Sequence, residues 1–141
     1  MPSFHRTALS IMDIQQRIGQ QRVKHIVDSY LLADSDDADA FNTYLNELLA
    51  QYPHGLIELA LVETLIKNWL RVPMQKGIPF LTTAHERLKQ WQAEPAPIRS
   101  LHAQLTPSQF SQITGLDPQA AFSALDNPTD YSTALTERDI P

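Results

Sequence analysis

The chain has 141 residues, of which 43% are hydrophobic and 19% charged, and its formal net charge is −5. That is enough apolar chain for one globular domain, while the negative charge argues against general binding to nucleic acids or anionic membranes. The absence of cysteine excludes disulfides, thiolate metal sites and cysteine nucleophiles. No unbroken apolar run exceeds four residues, the length of Leu59–Val62, which is far below the roughly 18–20 residues that span a bilayer, so we predict a cytoplasmic protein without membrane insertion.

The first helix is predicted to start at Ser10, which is suited to cap it, with Asp13 completing a capping box. Residues 1–9 are then an N-terminal extension outside the fold. Apolar residues recur at helical spacing as far as Leu31, with a slip near Gly19. A glycine inside a helix costs about 1 kcal/mol relative to alanine, so Gly19 predicts a bend or a close contact with another helix.

The second predicted helix follows an acidic loop over residues 33–40, in which Asp37 or Asp39 is suited to accept the free amides of the helix. Pro53 ends this helix. Its apolar residues recur at i, i+3 and i+4, which is typical of a helix with one buried face. These residues are Phe41, Tyr44, Leu45, Leu48, Leu49 and Tyr52.

The third predicted helix, over residues 56–70, is the most apolar segment of the chain. Such a helix belongs at the centre of a core, which either the rest of this chain or another protein provides. Glu63 and Lys67 are spaced for a favourable pair on its surface. Its polar residues are predicted to share one side; they are Glu58, Glu63, Thr64, Lys67 and Asn68.

A fourth helix is predicted after an interruption by two prolines and a glycine over residues 71–79, because Pro79 suits a first helical turn. The proline-containing segment 94–100 then predicts a stiff, extended connector. The apolar face of the fourth helix comprises Phe80, Leu81, Ala84, Leu88 and Trp91.

Two short helices are predicted beyond the connector, at Thr106-Pro107 and at Asp117-Pro118, because each pair combines a capping residue with a proline. The first of them ends at Gly115. We therefore predict an all-α fold. Its organisation is a four-helix body over residues 10–93, a connector and short-helix arm over 94–125, and a polar tail over 126–141.

The sequence shows no motif for catalysis, metal binding or nucleotide binding. No two histidines stand three or four residues apart, and a calcium loop counted from Asp34 has Leu45 where glutamate is required. The phosphate-binding glycine patterns are also missing. His54 precedes Glu58 by four residues, which favours a surface ion pair over an acid–base dyad. We therefore expect a non-enzyme with no catalytic residue, no metal and no cofactor.

The aromatic residues are assigned to the core by their spacing, Trp69 among them. Trp91 is the exception, because it ends the fourth helix beside the proline-rich connector, and we predict it to be partly exposed and to anchor a partner. The apolar residues of the arm either pack back on the body or dock into a partner's groove. The predicted partner-binding residues are Trp91, Leu105, Phe110, Ile113, Phe122 and Leu125.

Charge is distributed unevenly, with a net of −7 over residues 34–63 and +4 over 64–100. One interpretation is internal pairing between these segments. The alternative is a basic edge between helices three and four that binds an anionic small molecule or a nucleotide, near His85, or else RNA or DNA. The residues of this predicted edge are Arg71, Lys76, Arg87, Lys89 and Arg99.

The stretches PHGLIELALVETLIKNWLRVPMQKGIPFLTTAHERLKQW (53–91) and QFSQITGLDP (109–118) resemble small helical proteins of cyanobacteria. The resemblance covers residues 12–125. It implies an oxygenic-phototroph setting and an auxiliary role around a photosynthetic or carbon-fixing assembly. It brings no activity and no site residues.

These observations predict a non-enzymatic helical protein–protein interaction protein: an assembly factor, an adaptor or a small accessory subunit of a larger complex. The sequence shows no catalytic motif, the third helix has more apolar surface than one buried face needs, and the arm carries spaced apolar anchors. A small-molecule or nucleotide-binding regulator is the alternative. The partner is then a protein or a larger complex rather than nucleic acid, and self-association is left open.

Overall fold

The computed structural model describes residues 2–69 and 74–126, with side chains described from Ile14 onward except at positions 15 and 35. Within this part of the chain every regular element is helical, so the predicted all-α fold is confirmed. No helix in it is long and apolar enough to cross a membrane. The helices are α1 (Pro2–Ser29), α2 (Ala38–Gln51), α3 (His54–Asn68), α4 (Ile78–Ala93), α5 (Ala96–His102), α6 (Pro107–Thr114) and α7 (Pro118–Asp126).

Helix α1 begins at Pro2, so the predicted helix start at Ser10 is wrong. Proline is favoured at a first helical position, where its missing N–H would have no helical partner. The helix also continues through Gly19 without a break. A Cβ at Gly19 would lie 2.6 Å from two ring atoms of His54, so the predicted close helix contact is confirmed.

The turn before α2 is capped differently from the prediction. Asp34 accepts a hydrogen bond from the Asp36 amide at 3.3 Å and starts a short 3-10 turn, Ser35–Asp37. Asp37 occupies the N-cap position of α2 but makes no side-chain bond there. The cap of this segment is therefore one turn earlier in the chain than Asp37 or Asp39.

Helix α3 is the centre of the fold. Gly19 of α1 faces His54 at the start of α3, and Tyr30, after α1, faces Trp69 just past the end of α3. Helix α1 therefore runs alongside α3 in the same direction. Twelve of the fifteen residues of α3 are buried, including four of the five polar ones predicted to share one side. These four are Glu58, Glu63, Thr64 and Asn68. The core around α3 is therefore provided by this chain itself.

The predicted extended connector is wrong, because Ala96–His102 forms helix α5. Pro95 has an extended conformation at its N-cap, and Pro97 lies in its first turn, where proline is tolerated. The composition of residues 94–100 is typical of a connector, but the backbone forms a helix directly after Pro95. This short helix contacts α7.

The arm helices α6 and α7 have the predicted starts. Thr106 accepts from the Gln109 amide, Gln109 returns the bond in a complete capping box, and Gly115 ends α6 with a φ of 73°. Helix α7 crosses the start of α3 at Gly55, where a Cβ would lie 2.9 Å from the Ala124 Cβ. The arm is thus closely packed on the four-helix body.

Candidate interaction site

The residues predicted to contact a partner lie in or against the core of this chain. Trp91 is fully buried, so the prediction that it is partly exposed is wrong. The rings of Phe110 and Phe122 pack edge to face, with centroids 6.1 Å apart. In this conformation the arm packs back on the body. Leu105, Phe110 and Leu125 are buried, and Ile113 and Phe122 are half-buried.

Arg99, which was predicted to belong to the basic edge, is buried in the interior. Arg99 is only 7% exposed. Its Nε donates to the Trp91 carbonyl at 2.5 Å, and its Nη1 donates to the Leu125 carbonyl at 3.4 Å. These carbonyls belong to the last turns of α4 and α7, where the helix dipole favours a cation. Arg99 therefore joins two helix ends.

Arg87 also points inward from the predicted edge. Its Nε donates to Glu63 Oε1 at 2.8 Å, and its Nη2 donates to the His102 carbonyl at 2.6 Å. The guanidinium carbon lies 4.5 Å from the centroid of the Trp91 ring. The predicted pairing between the acidic and basic segments is therefore confirmed for Arg87, and Glu63 does not need the surface partner predicted for it.

The remaining residues of the predicted basic edge do not share one environment. Lys76 is exposed. Lys89 is exposed as well and lies 3.4 Å from the Glu86 carboxylate. Arg71 lies outside the described residues. The described members thus leave two exposed lysines instead of a continuous row of cations.

Glu58 forms a buried ionic cluster at the junction of α1 and α3, where the sequence predicted a surface pair. Its side chain is fully buried. Arg22 donates to Oε1 at 2.8 Å and to Oε2 at 3.0 Å, and His54 Nδ1 lies 2.7 Å from Oε2. The hydrogen bonds to Glu58 raise the pKa of Arg22, against the lowering effect of burial. Because Arg22 binds both carboxylate oxygens of Glu58, the cluster fastens α1 to α3.

Helix α1 and Tyr30, the residue that follows it, also hold the arm through three side chains. Arg22 Nη2 donates to the Asp117 carbonyl at 2.8 Å. His25 Nε2 lies 2.9 Å from the Thr114 carbonyl, and the Tyr30 hydroxyl donates to the Ile113 carbonyl at 2.7 Å. The last two carbonyls lie at the end of α6, where they lack helical partners. The end of α6 is thereby fixed against α1.

An open groove of about 370 Å³ lies beside these hydrogen bonds, between the ends of α1 and α3 and one face of α6. The Trp69 side chain is 48% exposed there, so its predicted place in the core is wrong. Its ring lies 6.5 Å from that of Tyr30, at an interplanar angle of 59°. We call this feature the Trp69 groove. Its lining consists of Tyr30, Ile66, Trp69, Gln109, Gln112 and Ile113.

Trp69 was misplaced because the sequence pattern extended the third helix to residue 70. The helix ends at Asn68, and Trp69 occupies its C-cap position. Lys67 and Asn68 directly before it are the local signal that the apolar run had reached its end. That signal is weak, because a cation near a helix end is also common on continuing helices.

Leu31 follows Tyr30 and is 69% exposed. Its φ of 51° is in the left-handed region, at the position after the α1 C-cap where glycine or asparagine is usual. The Leu31 amide donates to the Asp28 carbonyl at 3.3 Å, and the Leu32 amide donates to the Val27 carbonyl at 3.0 Å, which completes a Schellman motif. An exposed leucine is therefore held in a backbone conformation that costs a side chain about 1–2 kcal/mol.

His85, proposed as part of a ligand pocket, instead lies in the contact between α2 and α4. Its Nδ1 is 2.8 Å from the Tyr44 hydroxyl, and its ring meets that of Tyr52 at 5.8 Å, edge to face. Burial, with a further effect of Lys89, lowers the pKa of His85 below its ordinary value of 6.5, while Glu86 opposes this. When Nδ1 carries no proton, it accepts a hydrogen bond from the Tyr44 hydroxyl.

Among the described residues, no group of three His, Asp or Glu side chains is placed to hold a metal ion. No family model, no curated protein and no solved structure matches this chain. The resemblance to cyanobacterial proteins therefore stays a prediction. The geometry of the Trp69 groove and Leu31 is the basis for the functional argument.

Proposed function

We propose that this chain is a non-enzymatic protein–protein interaction protein, which acts as an assembly factor, adaptor or small accessory subunit and binds through the Trp69 groove. The carrying observation is the exposure of Trp69: among the described aromatic side chains it is the exposed one, while the others are buried or half-buried. Tryptophan is enriched among residues that dominate binding energy, because its large ring gains much from desolvation.

Two features next to Trp69 support this proposal. The Trp69 groove is already open, so a partner would not have to displace core side chains to enter it. Leu31 adds a second exposed apolar side chain beside Tyr30, in a backbone conformation that other residues adopt at lower cost. The two features together define a surface with an anchor and a cleft.

The Trp69 groove differs from the interaction surfaces that the sequence predicted, which were the apolar face of α3 and the anchors of the arm. Most of the apolar surface of α3 and of the arm is packed within this chain, whereas the half-buried Ile66 of α3 and Ile113 of the arm line the Trp69 groove. The small-molecule or nucleotide alternative has no observation in its favour among the described residues, since Arg87 and Arg99 make their bonds inside the fold. A photosynthetic complex as the partner rests on the sequence resemblance alone.

The test is affinity purification of the full chain, tagged at its N-terminus, from its native cell, followed by mass spectrometry. We expect a stoichiometric partner that is lost when Trp69→Gln or Leu31→Asn is used as bait. Leu101→Asn is the matched control, because Leu101 is 79% exposed on α5 and does not line the Trp69 groove. A partner retained equally by all three baits would refute the groove as the binding surface.

A further inference from the structure

We propose that the partner segment bound in the Trp69 groove is basic: an apolar side chain of the segment enters the groove, and a neighbouring lysine or arginine of the same segment binds Asp28. This inference rests on the proposed function, because it names the chemistry of the protein that the groove binds. The charges around the groove single out Asp28 as an acidic residue without a counterpart.

The Trp69 groove lies at the negative ends of two helices. Helices α1 and α3 run in the same direction, so the C-terminal ends of both border the groove, at Tyr30 and at Trp69. A helix carries roughly half an elementary negative charge at its C-terminal end, which a cation in the last turn offsets. Lys67 is that cation for α3. The last turn of α1 contains no basic residue and contains Asp28 instead.

Asp28 is exposed and has no cationic partner in the described part of the chain. The ion pairs formed among the described residues do not include it. Lys24 is one turn earlier on α1, but a lysine on the N-terminal side of an acid is the less favourable order on a helix. His25 is bound to the Thr114 carbonyl instead. The negative charge at the end of α1 is therefore not offset within the described residues.

The acidic residues of the loop after α1 are compensated locally. Asp36 and Asp37 lie in the 3-10 turn directly before α2, at the positive end of that helix, which favours acids. Asp34 caps the same turn with its side chain. The exposed Lys76 is close to Asp34, because the next residue, Gly77, lies against it. The end of α1 differs from this loop in lacking such compensation.

Asp28 is close enough to the groove to pair with a segment that fills it. It precedes Tyr30, which lines the groove, by two residues, so the Cα atoms of the two are at most about 7 Å apart. This distance is within the Debye length of about 8 Å at physiological ionic strength, so the charge acts at the groove. Trp69 and Ile113 provide the apolar contact. A segment with an apolar residue beside a cation matches both features, whereas an acidic segment is repelled.

The test is titration of the purified full chain with two synthetic peptides that contain no tryptophan. One is an amphipathic peptide of leucine and lysine, and the other has the same pattern with glutamate in place of lysine. We expect the basic peptide to shift tryptophan emission to shorter wavelength, because Trp69 is 48% exposed and becomes covered, whereas Trp91 is buried already. The affinity should fall as salt is added. An equal response to the acidic peptide, or no response to the basic one, would overturn the inference.

Variants locate the residue that binds the cation. Asp28→Asn should weaken binding of the basic peptide by about two- to fivefold, the effect of one exposed ion pair, and Asp28→Lys should weaken it further. Both variants should unfold at a temperature equal to or above that of the unchanged chain, because an acid is unfavourable at a helix C-terminus. Glu47→Gln is the matched control, since it removes an equal charge from an exposed position of α2 outside the groove. Equal weakening by Asp28→Asn and Glu47→Gln would show a response to overall charge and refute the inference.

The two proposals fail separately in affinity purification from the native cell. A partner that is lost with Trp69→Gln but retained in full with Asp28→Lys would leave the proposed function standing and refute the basic segment. A partner that is lost with both variants supports both proposals. A partner that both variants retain would refute both.

Discussion

Glu58 and Glu63 determine how α1 and α4 are set against the central helix. Each carboxylate is buried and is bound by an arginine of a neighbouring helix, Arg22 for Glu58 and Arg87 for Glu63. A buried charge without its partner costs several kcal/mol, so helix arrangements that separate these pairs are disfavoured. We therefore expect the pairs to contribute more to specifying the arrangement of helices than to overall stability.

The Glu58→Gln substitution tests the buried cluster. It leaves Arg22 without its charged partner in a largely buried position, and we expect the free energy of unfolding to fall by about 3 kcal/mol. Urea denaturation followed by circular dichroism measures this loss. Glu47→Gln is the control, because Glu47 is exposed on α2 and its change should stay within about 0.5 kcal/mol. Equal effects of the two substitutions would show that Glu58 is not a buried partner.

His85 gives the fold a dependence on pH. Because its pKa is lowered in the folded chain, the unfolded chain binds the proton more readily, and the free energy of unfolding should decrease as pH falls below about 6.5. His85→Gln keeps a hydrogen-bond acceptor for Tyr44 but does not titrate, so its decrease should be smaller. His102→Gln, with a ring 55% exposed, serves as the control. Identical pH profiles for His85→Gln and the unchanged chain would contradict this role.

At the scale of helices, small residues set the closest contacts. Gly19 admits the His54 ring against α1, and Gly55 admits α7 against α3. At Gly55 the neighbouring atoms include backbone, with the Ala120 carbonyl oxygen 3.0 Å from where a Cβ would be. Backbone cannot move aside as a flexible side chain does, so the spacing of α3 and α7 depends on this glycine.

The Gly55→Ala substitution should therefore lower the free energy of unfolding, by about 1–3 kcal/mol, although alanine is the better helix former. Amide hydrogen exchange should show the greatest loss of protection in α7. Adding Ala124→Gly removes the atom 2.9 Å from the new Cβ and should restore part of the stability. If Gly55→Ala stabilises the chain, α7 does not approach α3 as closely as described.

At the scale of the whole molecule, the arm is part of the fold. Its attachments come from both sides. Side chains of α1 and of Tyr30 bind carbonyls of α6 and of the loop after it, and Glu63 of α3 accepts from the Gln104 amide at 3.0 Å. Arg99 links the ends of α4 and α7. The division into a four-helix body and a separate arm thus describes the order of the chain better than its packing.

Truncation after residue 94 should consequently abolish cooperative unfolding, because it exposes the faces of α3 that α6 and α7 cover. Near-ultraviolet circular dichroism and calorimetry would show the loss. Truncation after Asp126 is the matched control, since it retains every contact among the described residues, and it should keep a cooperative transition. A cooperative, well-packed 1–94 chain would show that the arm is dispensable.

The elements that were predicted correctly depend on residues close together in the chain. The capping box of Thr106 and Gln109, the left-handed Gly115 and the proline in the first turn of α4 each involve a few neighbouring positions. Their physical cause is the pairing of backbone groups at helix ends, which short sequence patterns report. The predicted connector at 94–100 failed because prolines suit both an extended segment and a first helical turn.

The sequence by itself determined that this is an all-α chain with a central apolar helix, because helix formation and amphipathicity are written in neighbouring residues. Only the tertiary structure decided which side chains remain exposed. It buried Trp91 and exposed Trp69, and it joined Arg22 to Glu58 across 36 positions. Whether a side chain is buried depends on segments that are remote in sequence. The candidate site results from that packing, because it lies where α1, α3 and α6 meet and leave apolar groups in contact with water.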